Sequence, residues 1–215
     1  MNAKALFLTL IMTASIGRAT LLFSDPGGGN SRTGDGFSLG AQFTVSVSNE
    51  EVIGLGIYDL TGNALLTAHE VGLWDVTAGN TMVADVTVPA GTTNGGTPGF
   101  VFVAPPSPVV LFNGHQYKLA AYYPSGASTD HLADCCQGAA PTADPGFTSI
   151  VGAFTASASV GSLSEPNGTA GHAYVGPNLQ FQPTPEPATG LLILPAAALM
   201  LFRGLWRRWS TANSQ

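Results

Sequence analysis

Residues 70–75 read Glu70-Val71-Gly72-Leu73-Trp74-Asp75, and this alternation decides the fold class. Side chains two apart share a face of a strand, so Val71, Leu73 and Asp75 fall on one side and Trp74 on the other. Outward from it the pattern repeats. Phe43, Val45 and Val47 share a face, and runs rich in Val, Phe, Ile and Thr recur at Phe37–Val45, Val52–Tyr58, Met82–Val88, Phe100–Val103, Tyr117–Tyr123, Ile150–Phe154 and Tyr174–Phe181. Thr61-Gly62-Asn63, Ala90-Gly91 and Asn113-Gly114 supply turns between them, because Gly and Asn accept positive φ. Short strands at this spacing, with helix signals nearly absent, predict an all-β domain, a single β-sandwich.

The chain has 215 residues, with 27 Gly and 15 Pro, about one residue in five and below the roughly 25–30% of low-complexity chains, so it can fold. Charged residues are only 9%, which leaves few titratable groups for catalysis. Only Arg32 and Lys118 are basic in residues 20–187, against thirteen acids, a net charge of −11. Nothing there neutralises phosphates, so nucleic acid is excluded as a partner, while divalent cations or neutral glycans remain compatible.

The two ends read as addresses. Lys4, an apolar stretch from Ala5 to Ile16 and the small residues Gly17 and Ala19 predict a signal peptide over residues 1–19, hence export by the Sec machinery. Residues 20–35, with Gly27-Gly28-Gly29, read as a flexible lead-in, and the sandwich is expected over 36–182. From 183 to 215 the order is proline-rich, then apolar from Ala188 to Trp206, then basic. A helix at about 188–206 is nearly long enough to cross a bilayer, and Arg203, Arg207 and Arg208 put its far end in the cytoplasm. On the physics of the segment alone, a plain membrane anchor is the alternative.

Pro185-Glu186-Pro187, the apolar helix and the terminal arginines together resemble the PEP-CTERM sorting signal of Gram-negative bacteria. The resemblance implies that an exosortase recognises Pro185, Glu186 and Pro187, removes the helix and passes the ectodomain to the cell surface or an exopolysaccharide matrix. The runs Val52-Ile53-Gly54-Leu55-Gly56, His69 to Asp75, Val86-Thr87-Val88, Gly114-His115-Gln116-Tyr117 and Gly176-Pro177-Asn178-Leu179-Gln180-Phe181 are in turn similar to a secreted bacterial domain of unknown function, which implies a β-sandwich over roughly 36–181 and leaves activity open.

Candidate chemistry is sparse. Asp59 and Asn63 flank an oxygen-rich turn, and Glu70 or Asp75 would complete a weak calcium site; the competing reading is an ordinary Asx turn. Cys135 and Cys136 are adjacent, their Cα atoms about 3.8 Å apart where a disulfide prefers roughly 4.4–6.8 Å, so a strained vicinal bridge, intermolecular pairing and free thiols all stay open. Asp130, His131, Asp134 and the cysteines match no zinc spacing. Glu50-Glu51 on a strand point to opposite faces. His69, His115 and His172 are assigned to surface or turn roles, while Trp74, Tyr58, Tyr122 and Tyr123 either stack on sugars or pack in the core. The leading expectation is a non-enzymatic surface or biofilm-matrix protein; the alternatives are a carbohydrate-binding module and a weak hydrolase.

Overall fold

The computed structural model describes residues 19–25, 30–32, 36–47, 49–96, 99–125, 130, 132–134, 141–155 and 162–184. The expected signal peptide up to residue 18, the membrane helix at about 188–206, the Pro185–Pro187 motif, the terminal arginines and Cys135-Cys136 lie outside them. The chain divides into two compact units, Met1–Pro183 and Thr184–Gln215, and of the second only Thr184 is described. Among the described residues no helix is long and apolar enough to cross a membrane.

Every element among the described residues is a strand, as the alternation predicts: β1 (Thr20–Leu21), β2 (Phe23–Asp25), β3 (Asn30–Arg32), β4 (Phe37–Val45), β5 (Glu50–Asp59), β6 (His69–Asp75), β7 (Thr81–Val88), β8 (Gly99–Val103), β9 (Val109–Leu111), β10 (Gln116–Tyr123), β11 (Leu132–Asp134), β12 (Thr142–Ala143), β13 (Phe147–Phe154), β14 (Gly168–Ala170), β15 (Tyr174–Val175) and β16 (Pro177–Pro183). All the described pairings are antiparallel. One sheet has the order β14-β13-β4-β10-β6-β7; a second runs β1-β16-β5-β8, with β9 also on β5. Two small sheets, β15-β11-β3 and β12-β2, complete the set. The architecture is all-β and sandwich-like.

The two main sheets share one core. In the six-stranded sheet Phe43 lies opposite Tyr117 and Ala41 opposite Leu119, so the odd-numbered residues of β4 and β10 face inward together. The second sheet contributes Leu55, Ile57, Leu179 and Phe181. Aromatic rings connect the sheets: Phe43 meets Phe147 edge-on with centroids 5.3 Å apart, and Phe147 meets Phe181 of β16 at 4.9 Å. Removing the fully buried Phe43 ring leaves a void that costs about 3–5 kcal/mol.

Residues 20–25 correct the expectation of a flexible lead-in. Leu22 and Phe23 are fully buried, Thr20 pairs with Phe181, and Asn178 grips Phe23 at both backbone groups, its Oδ1 accepting from the amide at 3.0 Å and its Nδ2 donating to the carbonyl at 2.8 Å. Two apolar residues suffice to dock the segment although they are too few to show a period.

The outer face of the six-stranded sheet is also covered. Ala153, Gly40, Ala120 and Gly72 lie in register across four strands, and residues 162–166 run over this low ground. The strap is tied at three points: the Leu163 amide donates to Glu70 Oε2 at 2.7 Å, the Ser164 amide donates to Ser38 Oγ at 3.0 Å, and Lys118 Nζ reaches Glu165 at 2.8 Å. A β-carbon on residue 72 would stand 2.6 Å from the Trp74 ring and 2.9 Å from Leu163, so Gly72 is what lets the indole lie flat beneath the strap.

Candidate functional site

Strand β6 carries a polar residue at each end of its inward face. His69, Val71, Leu73 and Asp75 all point in, so the period that builds the core also buries an imidazole and a carboxylate. Burial of a polar group is tolerated only with partners. Each finds an acid or base far away in sequence, producing two histidine–aspartate pairs.

At the first end His69 is fully buried. Its Nε2 lies 2.9 Å from Asp130 Oδ2 and its Nδ1 lies 3.0 Å from the Tyr122 carbonyl. Both ring nitrogens thus face acceptors, and Nε2 also lies 3.3 Å from the Thr67 hydroxyl. Asp130 also accepts from the Leu66 amide at 2.8 Å, the Thr67 amide at 3.0 Å and the Thr67 hydroxyl at 3.3 Å. Burial works to raise the Asp130 carboxyl, but the bonds from His69, Leu66 and Thr67, with the imidazole charge, outweigh it and hold the group below its ordinary value. The Tyr123 ring lies beside His69, centroids 5.1 Å apart, and its buried hydroxyl has no hydrogen-bond partner. Burial, and then the nearby Asp130 charge, push that phenol well above its usual value. The cluster is a clasp that pins the 64–68 loop to Asp130, just ahead of β11.

At the second end Asp75 Oδ2 lies 2.8 Å from His115 Nδ1, and Asp75 Oδ1 accepts from the Ala78 amide at 3.0 Å, closing the β6–β7 turn. The Tyr117 hydroxyl accepts from the Phe112 amide at 3.0 Å and is hydrogen-bonded to Asp75. Burial raises the Tyr117 phenol to about 12; the Phe112 amide opposes this and Asp75 adds to it. His115 differs from His69 in being one-third exposed. A hydrogen on Nδ1 directed at Asp75 would leave Nε2 of a neutral ring as an acceptor. No serine, threonine or cysteine among the described residues makes a hydrogen bond to that nitrogen.

The sequence-predicted residues are placed as follows. Asp59 is buried and accepts from four groups of its own turn: the Thr61 amide and hydroxyl at 3.1 Å each, the Gly62 amide at 2.8 Å and the Ala64 amide at 3.3 Å. Asn63 is exposed, and Glu70 is engaged by the strap. Among the described residues no three His, Cys, Asp or Glu side chains gather in a group that could hold a metal ion. Glu51 accepts from Gln182 Nε2 at 3.0 Å, whereas Glu50 is buried with Oε2 unpartnered. Desolvation, and then Asp144, raise the Glu50 carboxyl.

Trp74 and Tyr123 are packed rather than presented, at 3% and 0% exposure; Tyr58 and Tyr122 are half-buried. The aromatic that is exposed among the described residues, Phe112, lay outside the sequence reading, as did both pairings, since the partners of His69 and His115 are 61 and 40 residues away. The only available signal was that His69 and Asp75 share the inward face of β6. No protein-family model matches the chain, and no curated protein matches it.

Proposed function

We propose that the chain is an exported, non-enzymatic surface or matrix protein: a β-sandwich ectodomain delivered by an N-terminal signal peptide, held transiently by a C-terminal membrane helix and released at Pro185-Glu186-Pro187 by an exosortase. The observation that carries the non-enzymatic part is the employment of the domain's ionisable groups. His69, Asp130, Asp75 and Asp59 each hold a loop in place through hydrogen bonds. Support for the sorting part comes from the sequence order at residues 183–208 and from the position of β16, whose last residue, Pro183, stands two before the motif.

The test is Glu186→Ala in a host that has an exosortase, with intact mass and fractionation as readouts. The expected outcome is a full-length chain retained in the membrane fraction, against a shortened, released wild type. Equal mass and equal distribution of the two would reduce the tail to a plain anchor.

A further inference from the structure

The second end of β6 has a feature that structural pairing alone does not require: an aromatic ring turned to solvent. Among the described residues Phe112 is the one exposed aromatic, at 47%, and its ring centroid is 5.4 Å from that of His115. Neither ring is loosely held. The His115 amide donates to the Phe112 carbonyl at 3.1 Å, the Gly114 amide to the Val45 carbonyl at 2.8 Å and the Val45 amide back to the His115 carbonyl at 3.0 Å. Gly114 takes φ +81°, which lets the turn reverse in so few residues. The Asn113 amide donates to Asn49 Oδ1, and the Phe112 amide to Tyr117. Asp75 bonds His115 directly and reaches the Phe112 backbone amide through the Tyr117 hydroxyl, so one buried carboxylate ties both residues.

We propose that this corner binds a neutral pyranose ring, Phe112 covering its apolar face and His115 Nε2 accepting from one of its hydroxyls. Three observations select that chemistry. The exposed aromatic face suits a ligand with a flat C–H surface. The adjacent acceptor is fixed in direction, so a donor meets it without a further ordering cost. The polar neighbours Asn49, Asn113 and Thr77 are uncharged, and the nearby acids Asp75 and Glu50 are buried, Asp75 with its oxygens already engaged. A polyanion is disfavoured by the −11 charge of residues 20–187. The assignment rests on the extracellular reading above only for the source of the ligand; the site itself is independent of how the chain is sorted.

Calorimetry on the purified full-length chain in a sugar-free detergent tests it, with cellohexaose, maltohexaose and mannohexaose as probes. At least one gives saturable heat. Phe112→Ala weakens that binding about ten-fold, near the upper end of what one aromatic contact contributes. His115→Ala weakens it as well, Phe112→Trp retains or tightens it, and Met82→Ala, at another exposed apolar residue, leaves it unchanged. Because Phe112 is exposed, its variants keep the test valid even where His115→Ala disturbs folding. Absence of saturable heat with all three probes, or equal binding by wild type and Phe112→Ala, overturns the proposal. Neither result bears on the Glu186→Ala comparison, which is read by mass and location without any sugar.

Discussion

The hydroxyl of Tyr123 occupies the space that a β-carbon on residue 176 would need, so Gly176 and Tyr123 are coupled across β10 and the turn between β15 and β16. Gly176 has no positive φ, and the requirement for glycine is therefore one of room. Gly176→Ala forces the phenol to move and is expected to lower Tm by several degrees. Tyr123→Phe removes both the obstructing atom and a buried, unpartnered hydroxyl, and should stabilise the domain by about 1 kcal/mol. Combined with Gly176→Ala, it should recover part of the loss, a non-additivity that thermal melts of the four proteins measure.

Asp130→Asn strips the clasp of its charge and leaves the His69 ring facing an amide. Breaking a buried pair from one side costs about 3 kcal/mol at neutral pH. The wild-type carboxyl is held below its ordinary value, so its stabilisation is present above the unfolded value of about 3.9 and disappears as pH falls through the folded one. Urea melts at pH 7 and in the acid range should show the two proteins converging as pH drops. A constant gap across that range would mean that the carboxyl is not held by His69.

The opposite sign applies to Glu50. Its carboxyl is raised by burial and by Asp144, so the folded state favours the protonated form, and that preference is lost as pH rises through the folded value. Glu50→Gln therefore raises Tm at pH 7 by a few degrees and has little effect well below the ordinary carboxylate range. A Tm that falls at pH 7 would require an unseen partner for Oε2.

For the Asp59–Asn63 turn, four donors already aim at the carboxylate. Millimolar calcium is expected to leave Tm unchanged, whereas Asp59→Ala, which orphans the Thr61, Gly62 and Ala64 amides, lowers stability by about 1–3 kcal/mol. A calcium-dependent rise in Tm that disappears in Asp59→Ala would restore the cation reading.

The strands visible in the sequence were those long enough to show a period. Phe37–Val45 has the bounds read from its alternation, β6, β7, β8 and β10 extend theirs by one residue, β5 and β13 by three, and the run Tyr174–Phe181 is broken at Gly176 into β15 and β16. β1, β2, β11, β12 and β14 have two or three residues each, too few for any alternation, and they exist because a longer neighbour or a buried anchor such as Phe23 holds them. Alternation also tells which side a residue takes but not what lies on that side. Trp74 was correctly set opposite Leu73, yet the strap at 162–166 that buries it is nearly ninety residues downstream. The clasp was hidden for the same reason: His69 and Asp130 meet only because β6 and β10 are neighbours and Tyr122 closes the ring of contacts.

The place of β16 in its sheet sets an order of events. It is an inner strand, between β1 and β5, and also the last of the described strands in the chain. The residues that pair with it, Thr20 and Leu21 on one side and Glu50 to Ile57 on the other, wait for a partner until Pro183 has been delivered. A chain emerging from its amino end first therefore cannot complete this sheet until β16 has followed. The final stitch lies immediately before the stretch that ends the domain, so closure of the fold reports that all of the domain has arrived.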